Sequence, residues 1–173
     1  MSQQTIDGFL PSKRTEKVLH ASLLFPEIAR EFAENPALQG SLVGLFIITV
    51  LRRGEKREEW YLLFQGQDTK PTISQVRPSL PSLKKNEKAI PMVAVEIEDR
   101  DIYKFITGGM HGLKALIENK IKIAGDLILA QQLEEVFVRT GGLKKVRVFM
   151  EKAAKKQKAS ASKSISSGGM SKL

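Results

Sequence analysis

The side chains with the clearest capacity for proton transfer or metal binding are His20, His111 and the acidic run Glu96-Ile97-Glu98-Asp99-Arg100-Asp101. The two histidines lie far apart, and neither stands at a metal-ligand spacing. His111 precedes Gly112 and reads as a loop residue rather than a general base. No nucleophile elbow or phosphate-binding glycine loop occurs. Gly108-Gly109 with Gly112 follows a helical pattern instead of a strand, so it lacks the dinucleotide fingerprint. The acidic run reads as a strand end and a helix start, with Asp99 as the cap. Cysteine is absent, which removes disulfides, thiolate metal sites and a cysteine nucleophile and suits a reducing interior. No catalytic residue, metal or cofactor is assigned. Were a hydrophobic pocket to serve catalysis, the available bases would be Asp126, His111 and Glu118.

Two other features carry chemistry of recognition. The final tripeptide Ser171-Lys172-Leu173 matches the peroxisomal address, which is read by an import receptor and not by a membrane. The Ser/Gly-rich stretch before it cannot bury enough surface to fold, and it supplies the reach such a receptor needs. The net charge is +9, yet residues 143–173 hold nine lysines and arginines against Glu151 alone, so the preceding body carries only +1. A basic arm of this kind can meet phosphates or an anionic membrane, or simply keep the tail solvated; nucleic acid is not the expected partner.

These features must be positioned by a chain of 173 residues, enough for one domain with an arm. The N-terminus lacks a signal-peptide pattern. The longest apolar run, Leu42 to Leu51, falls short of the roughly 20 residues of a bilayer span, so a soluble protein is expected. Residues 1–14 read as a loosely ordered start, 15–142 as the domain, 143–158 as a basic amphipathic helix and 159–173 as a flexible tail. Helix signals begin near Thr15, Pro26 suits the first position of a new helix, and Asn35-Pro36 stops it. Strands are expected over Leu42–Leu51 and Glu58–Gly66, joined by a charged hairpin connection, then over Thr72–Val76 and Met92–Ile97. A helix follows from Asp99 to about Thr107 and a short one over 113–118, ended at Asn119, which tolerates left-handed backbone. Lys120-Ile121-Lys122-Ile123 alternates as a strand, with isoleucines inward. The last helix of the domain runs from Gly125-Asp126 to about Arg139. Its first turn, Leu127-Ile128-Leu129-Ala130, is either buried on all sides or lines a cavity. Gln131, Gln132, Glu134 and Glu135 are expected to face away from that stripe.

The block from Val93 to Phe137 resembles the sterol carrier protein 2 family. The likeness is concentrated in Lys120-Ile121-Lys122-Ile123-Ala124-Gly125-Asp126 running into the apolar helix with Leu129, Ala130 and Leu133. It extends back through Asp101-Ile102-Tyr103-Lys104-Phe105-Ile106-Thr107-Gly108 and Ala115 to Asn119. Asn119 stands where that family usually has glycine, Gly109 and Gly112 flank a turn that is more often Pro or polar, and residues 67–91 are long. The resemblance implies an α/β (α+β) fold, a five-stranded sheet covered on one face by helices with a hydrophobic tunnel between the layers. It implies fatty acids, fatty acyl-CoAs or sterols as ligands, bound without covalent chemistry, and a peroxisomal setting. The expected lining is Phe105, Met110, Leu113, Leu116, Ile117, Leu127, Leu129, Ala130, Leu133 and Phe137. A non-catalytic carrier follows from this, against two alternatives: an enzyme using the same cavity, or an adaptor docking enzymes through the basic arm. That arm, with Leu143, Val146, Met150 and Ala153 on one face, suits a lid over the tunnel mouth or a helix lying on an anionic membrane.

Overall fold

A hairpin at Arg53-Gly54 sets the centre of the sheet. Both residues have positive φ, 57° and 79°, as a two-residue turn joining right-twisted strands requires. The computed structural model describes residues 17–107, 109–139, 148 and 151–160. In it β1 (Val43–Arg52) and β2 (Glu55–Gln65) pair antiparallel, with an irregularity between Val50 and Leu51. The short β3 (Thr72–Ser74) flanks β2, β4 (Met92–Glu98) lies parallel to β1, and β5 (Ile121–Gly125) closes the far edge. The order is β3-β2-β1-β4-β5, a five-stranded mixed sheet in an α+β fold.

Period-two alternation divides the strands between two faces. Phe46, Ile48 and Val50 of β1, Trp60, Leu62 and Phe64 of β2, and Val93, Val95 and Ile97 of β4 are buried in one large core under the helices. Leu45, Tyr61 and Leu63 point the other way, where Ile47 and Ile90 pack with them. Ile90 ends the long Pro-rich connection, so part of that segment covers the sheet's second face. The helical layer consists of α1 (His20–Glu34), α2 (Asp99–Ile106), α3 (Gly112–Ile117) and α4 (Leu127–Arg139).

Two expectations about helix ends are corrected. Pro26 does not open a helix; it lies inside α1, exposed, while Ala21, Leu24, Phe25, Ile28 and Phe32 are buried along the same helix. An interior proline costs about 3 kcal/mol, and the burial of several large side chains at about 1.5–3 kcal/mol each outweighs it. The aromatic contacts of this face, Phe25 to Trp60 at 5.0 Å and Phe32 to Phe64 at 5.5 Å, hold the helix on β2.

Asp99, in turn, does not cap the helix it begins. Its carboxylate accepts the backbone N–H groups of His20 and Ala21, both at 3.0 Å, and so caps α1 from across the fold. No side chain of α1's own N-terminus does this. Neighbouring Glu98 accepts the N–H groups of Arg53 at 3.1 Å and Gly54 at 2.7 Å, bracing the hairpin turn. Glu98 and Asp99, the middle of the acidic run, are thus spent on backbone.

Asp99 is 4% exposed and meets two cations, with His20 Nδ1 at 3.1 Å from Oδ2 and Arg52 Nη2 at 3.7 Å. Burial pushes its carboxyl up, but the His20 imidazole and the two backbone N–H groups outweigh that and hold it below the ordinary value. The same carboxylate, working against burial, holds the His20 imidazole above its ordinary 6.5. A depressed carboxyl stabilises above its unfolded pKa and loses that contribution as pH falls through the folded value; a raised imidazole stabilises below about 6.5 and loses it as pH rises. Urea titrations of wild type and His20→Ala should therefore differ more at pH 5.5 than at pH 8.5. Asp99→Ala, which strips the cap and leaves Arg52 without its buried partner, should cost about 2–3 kcal/mol at pH 7. A stability difference between wild type and His20→Ala that is the same at both pH values would show that protonation of His20 adds nothing to the pair.

Candidate functional site

The last helix of the domain is positioned by its N-terminal cap and two glycines. Asp126 Oδ1 accepts the N–H groups of Ile128 at 2.8 Å and Leu129 at 3.2 Å, fixing where α4 begins. Gly125 makes the turn before it with φ of 115°, and a Cβ there would lie 2.6 Å from the Met92 carbonyl oxygen. Gly44 on β1 leaves the space that Leu129 fills, since a Cβ would stand 2.8 Å from a Leu129 methyl. α4 thereby drops one side chain onto the middle of the sheet and lifts its neighbouring face away from it.

Between that face, α2, α3, β4 and β5 lies a cavity of about 180 Å³. Its wall includes Val95, Phe105, Leu116, Ile123, Leu127, Ala130 and Leu133, and among the described residues its polar side chains are Gln131 and Glu134. At the inner end Val95 and Phe105 separate it from a void of about 10 Å³ walled by Ile102, Ile106, Phe137 and other apolar side chains. At the outer end Leu113, Gln131 and Glu134 belong both to the cavity and to an open groove that adds His111, Glu135 and Val138. Those three residues mark the mouth. The polarity runs one way, apolar at depth and polar at the entrance.

α3 roofs the cavity lightly. It has six residues, of which Gly112 and Ala115 are buried. Gly112 N–H donates to Glu134 Oε2 at 3.1 Å, and a Cβ at Gly112 would come within 2.7 Å of that oxygen, so a side chain there would push the carboxylate aside. His111 Nδ1 stands 3.6 Å from Glu134 Oε1, with its side chain 85% exposed. The helix ends at Asn119, whose φ of 55° lets Lys120 N–H reach the Ala115 carbonyl at 2.8 Å.

The model of the SCP-2 sterol transfer family matches residues 29–138, well over half of the chain. The chain belongs to that family. Among solved structures it is similar to sterol carrier protein-2 like-3 from Aedes aegypti, at 18% identity over 69% of this chain and 98% of that one, with a TM-score of 0.52. It is also similar to sterol carrier protein 2 from the same mosquito in complex with palmitate (15% identity, 71% and 98% coverage, TM-score 0.49). A third is the apo sterol carrier protein 2 of Yarrowia lipolytica (15%, 69% and 84%, 0.41). No curated protein matches. The likeness to the like-3 protein agrees with the five-stranded α+β architecture described above.

Of the ten residues expected to line a tunnel in this SCP-2 domain, Phe105, Leu113, Leu116, Leu127, Ala130 and Leu133 meet at the cavity. Phe137 faces the deeper void and stacks edge-on to Phe105 at 6.4 Å. Met110 packs against the core without reaching the wall, Leu129 is taken up by Gly44, and Ile117 is 74% exposed. The first turn of α4 is neither buried all round nor wholly cavity-facing, because Leu127 and Ile128 are 49% and 68% exposed. Gln131 and Glu134 do not face away as expected. With Leu127 and Val138 they form a stripe at spacings of four, three and four residues, which is one helix face. That spacing was visible in the sequence, but the polarity of two of its members hid it. Asp126 and Glu118 do not line the cavity; Asp126 caps α4, and Glu118 accepts from Lys120 at 2.7 Å, which holds its carboxyl low. Among the described residues no group of His, Asp or Glu could hold a metal ion.

Because Leu129 must enter beside a bare backbone, Gly44→Val should destabilise the protein by about 1–3 kcal/mol, the range for overpacking a filled core. Gly44→Val paired with Leu129→Ala should recover most of it. Thermal melts of the single and double variants check this, and a double variant no better than the sum of its parts would refute the contact.

Proposed function

We propose that the protein is a non-catalytic lipid carrier of the peroxisomal matrix, holding the apolar body of a fatty acid, fatty acyl-CoA or sterol between α3, α4 and the sheet. The observation that carries this is an enclosed apolar cavity, polar only at its mouth, in a chain of the SCP-2 sterol transfer family. Each buried methylene contributes about 0.8 kcal/mol, so a sixteen-carbon chain gains roughly 12 kcal/mol gross. Association and ordering remove several of these.

The size of the cavity shapes the reading. Pockets for small ligands run to about 300–1,000 Å³, whereas this one encloses about 180 Å³. A whole long-chain lipid therefore extends into the groove or displaces part of the wall. α3 is the part suited to move, being short, shallowly buried and tied to α4 through the Gly112–Glu134 hydrogen bond.

Residues 151–160 are helical, and Lys152, Lys155, Lys156 and Lys158 are exposed along them. Lysines near an anionic bilayer contribute about 1 kcal/mol each, which supports an acidic membrane as the surface where lipid is collected or delivered. Of the arm's expected apolar stripe, Ala153 is half-buried, while Leu143, Val146 and Met150 lie outside the described residues. So do Ser171, Lys172 and Leu173, the basis for proposing an import receptor and a peroxisomal location.

Titration of the full chain with a fluorescent fatty acid, palmitoyl-CoA and a fluorescent sterol should give saturable one-site binding for at least one. Absence of saturation for all three at tens of micromolar would overturn the carrier reading. Ala130→Phe, placed in the wall, should weaken binding at least tenfold with the melting temperature kept. For location, removing Ser171 to Leu173 from an N-terminally tagged protein should turn punctate fluorescence diffuse while binding in vitro persists; puncta that remain would refute the address.

A further inference from the structure

The mouth has a charge that the depth of the cavity lacks. Glu134 stands there with its carboxylate held in place, one oxygen on Gly112 N–H at 3.1 Å and the other 3.6 Å from the largely exposed His111. Glu135 lines the same groove, and no lysine or arginine lines either the cavity or the groove among the described residues. A lipid that enters tail first, as the apolar depth dictates, leaves its head group beside Glu134 and the Gln131 amide. A hydroxyl can donate to that carboxylate and accept from the amide. A lipid carboxylate can do only the second and meets a like charge in a site partly screened from water.

Resting on the carrier reading above, we propose that Glu134 is a specificity-determining residue that makes the site select lipids with an uncharged hydroxyl head over lipids with a carboxylate head. Gln131 assists by accepting or donating as the head group requires. The selection operates at the mouth and leaves chain length to the apolar wall.

The test is calorimetric titration of the full chain with 1-dodecanol and with laurate, which share a twelve-carbon chain, at pH 7.5 and low salt. An alcohol leaves water more readily than a carboxylate, so the decisive quantity is the change in the ratio of the two affinities on mutation. Glu134→Gln keeps an oxygen to accept the Gly112 N–H and should tighten laurate about tenfold relative to dodecanol. Raising salt to 0.5 M should shrink the wild-type preference, since the opposed charges are then screened. Gln131→Lys, an independent variant at an exposed position, should also tighten laurate relative to dodecanol by about tenfold. If both ligands bind and neither variant moves their ratio by more than twofold, the selectivity proposal is wrong while the carrier reading stands. If neither ligand binds, the selectivity proposal falls, and the carrier reading falls with it only when the fatty acid, palmitoyl-CoA and sterol titrations also fail to saturate.

Discussion

One buried carboxylate holds three parts of this fold in register. Asp99 sits at the junction of β4 and α2, caps the first turn of α1 and faces Arg52 at the end of β1. Burying a carboxylate is costly unless its charge is met and its oxygens accept hydrogen bonds. Both oxygens are engaged, Oδ1 by Ala21 N–H and Oδ2 by His20 N–H, with His20 and Arg52 supplying positive charge. Arg52 also donates to the Lys17 carbonyl at 2.7 Å, tying the chain that leads into α1 to the same point. Remove the carboxylate and the helix loses its cap, the arginine its partner and the strand end its anchor at once. Phe25 and Phe32 against Trp60 and Phe64 still hold α1 on the sheet, and the carboxylate sets where along the sheet that helix begins.

With α1 fixed over β2, the remaining helices have only the β4–β5 half of the sheet to cover, and they do not cover it fully. α4 contacts the sheet through Leu129 at Gly44, while Leu133, Val136 and Phe137 fill the space toward α2. Its other face, from Leu127 through Gln131 and Glu134 to Val138, stands off β4 and β5 across the cavity and has only the six residues of α3 above. The cavity follows from that geometry, since the contact at Gly44 seats one part of α4 deeply while α3 is too short to fill what remains. The exposed Leu113, Ile117, Leu127 and Ile128 are the same deficit seen from outside. Such a cluster of apolar side chains around an opening is unfavourable for a protein that only has to fold, and it is informative for that reason.

Much of the architecture was legible because it rests on local rules. The β-branched run Leu42–Leu51, the alternation along Lys120–Ile123, the left-handed tolerance of Asn119 and the turn at Gly125-Asp126 each predict their element without knowledge of the rest. What escaped were decisions made between distant segments. Pro26 looked like a helix start because its cost is local and the burial that offsets it, against β2, is not. Asp99 looked like the cap of its own helix because spacing says nothing of a helix end arriving from 78 residues away. At the site the error had the opposite sign. Ile117 and Leu129 suit a lining by being apolar, although one faces solvent and the other meets Gly44. Gln131 and Glu134 suit a solvent-facing stripe by being polar. A stripe read by position would have kept them and lost Leu129.

The polar mouth also bears on how a carrier of this shape could release what it holds. Gly112 N–H is bound to Glu134, so the side chain that meets the ligand's head group also fastens α3 to α4. A head group that takes up the Glu134 carboxylate competes with Gly112 for it, and losing that bond frees the N-terminal end of the roof helix. Entry of a ligand and loosening of α3 are then linked through one carboxylate, and linkage of this kind is reciprocal in free energy. On that linkage the roof is held more firmly before loading than after it. A carrier needs that order of events, because a site that tightened its roof on loading would retain its lipid at the membrane meant to receive it.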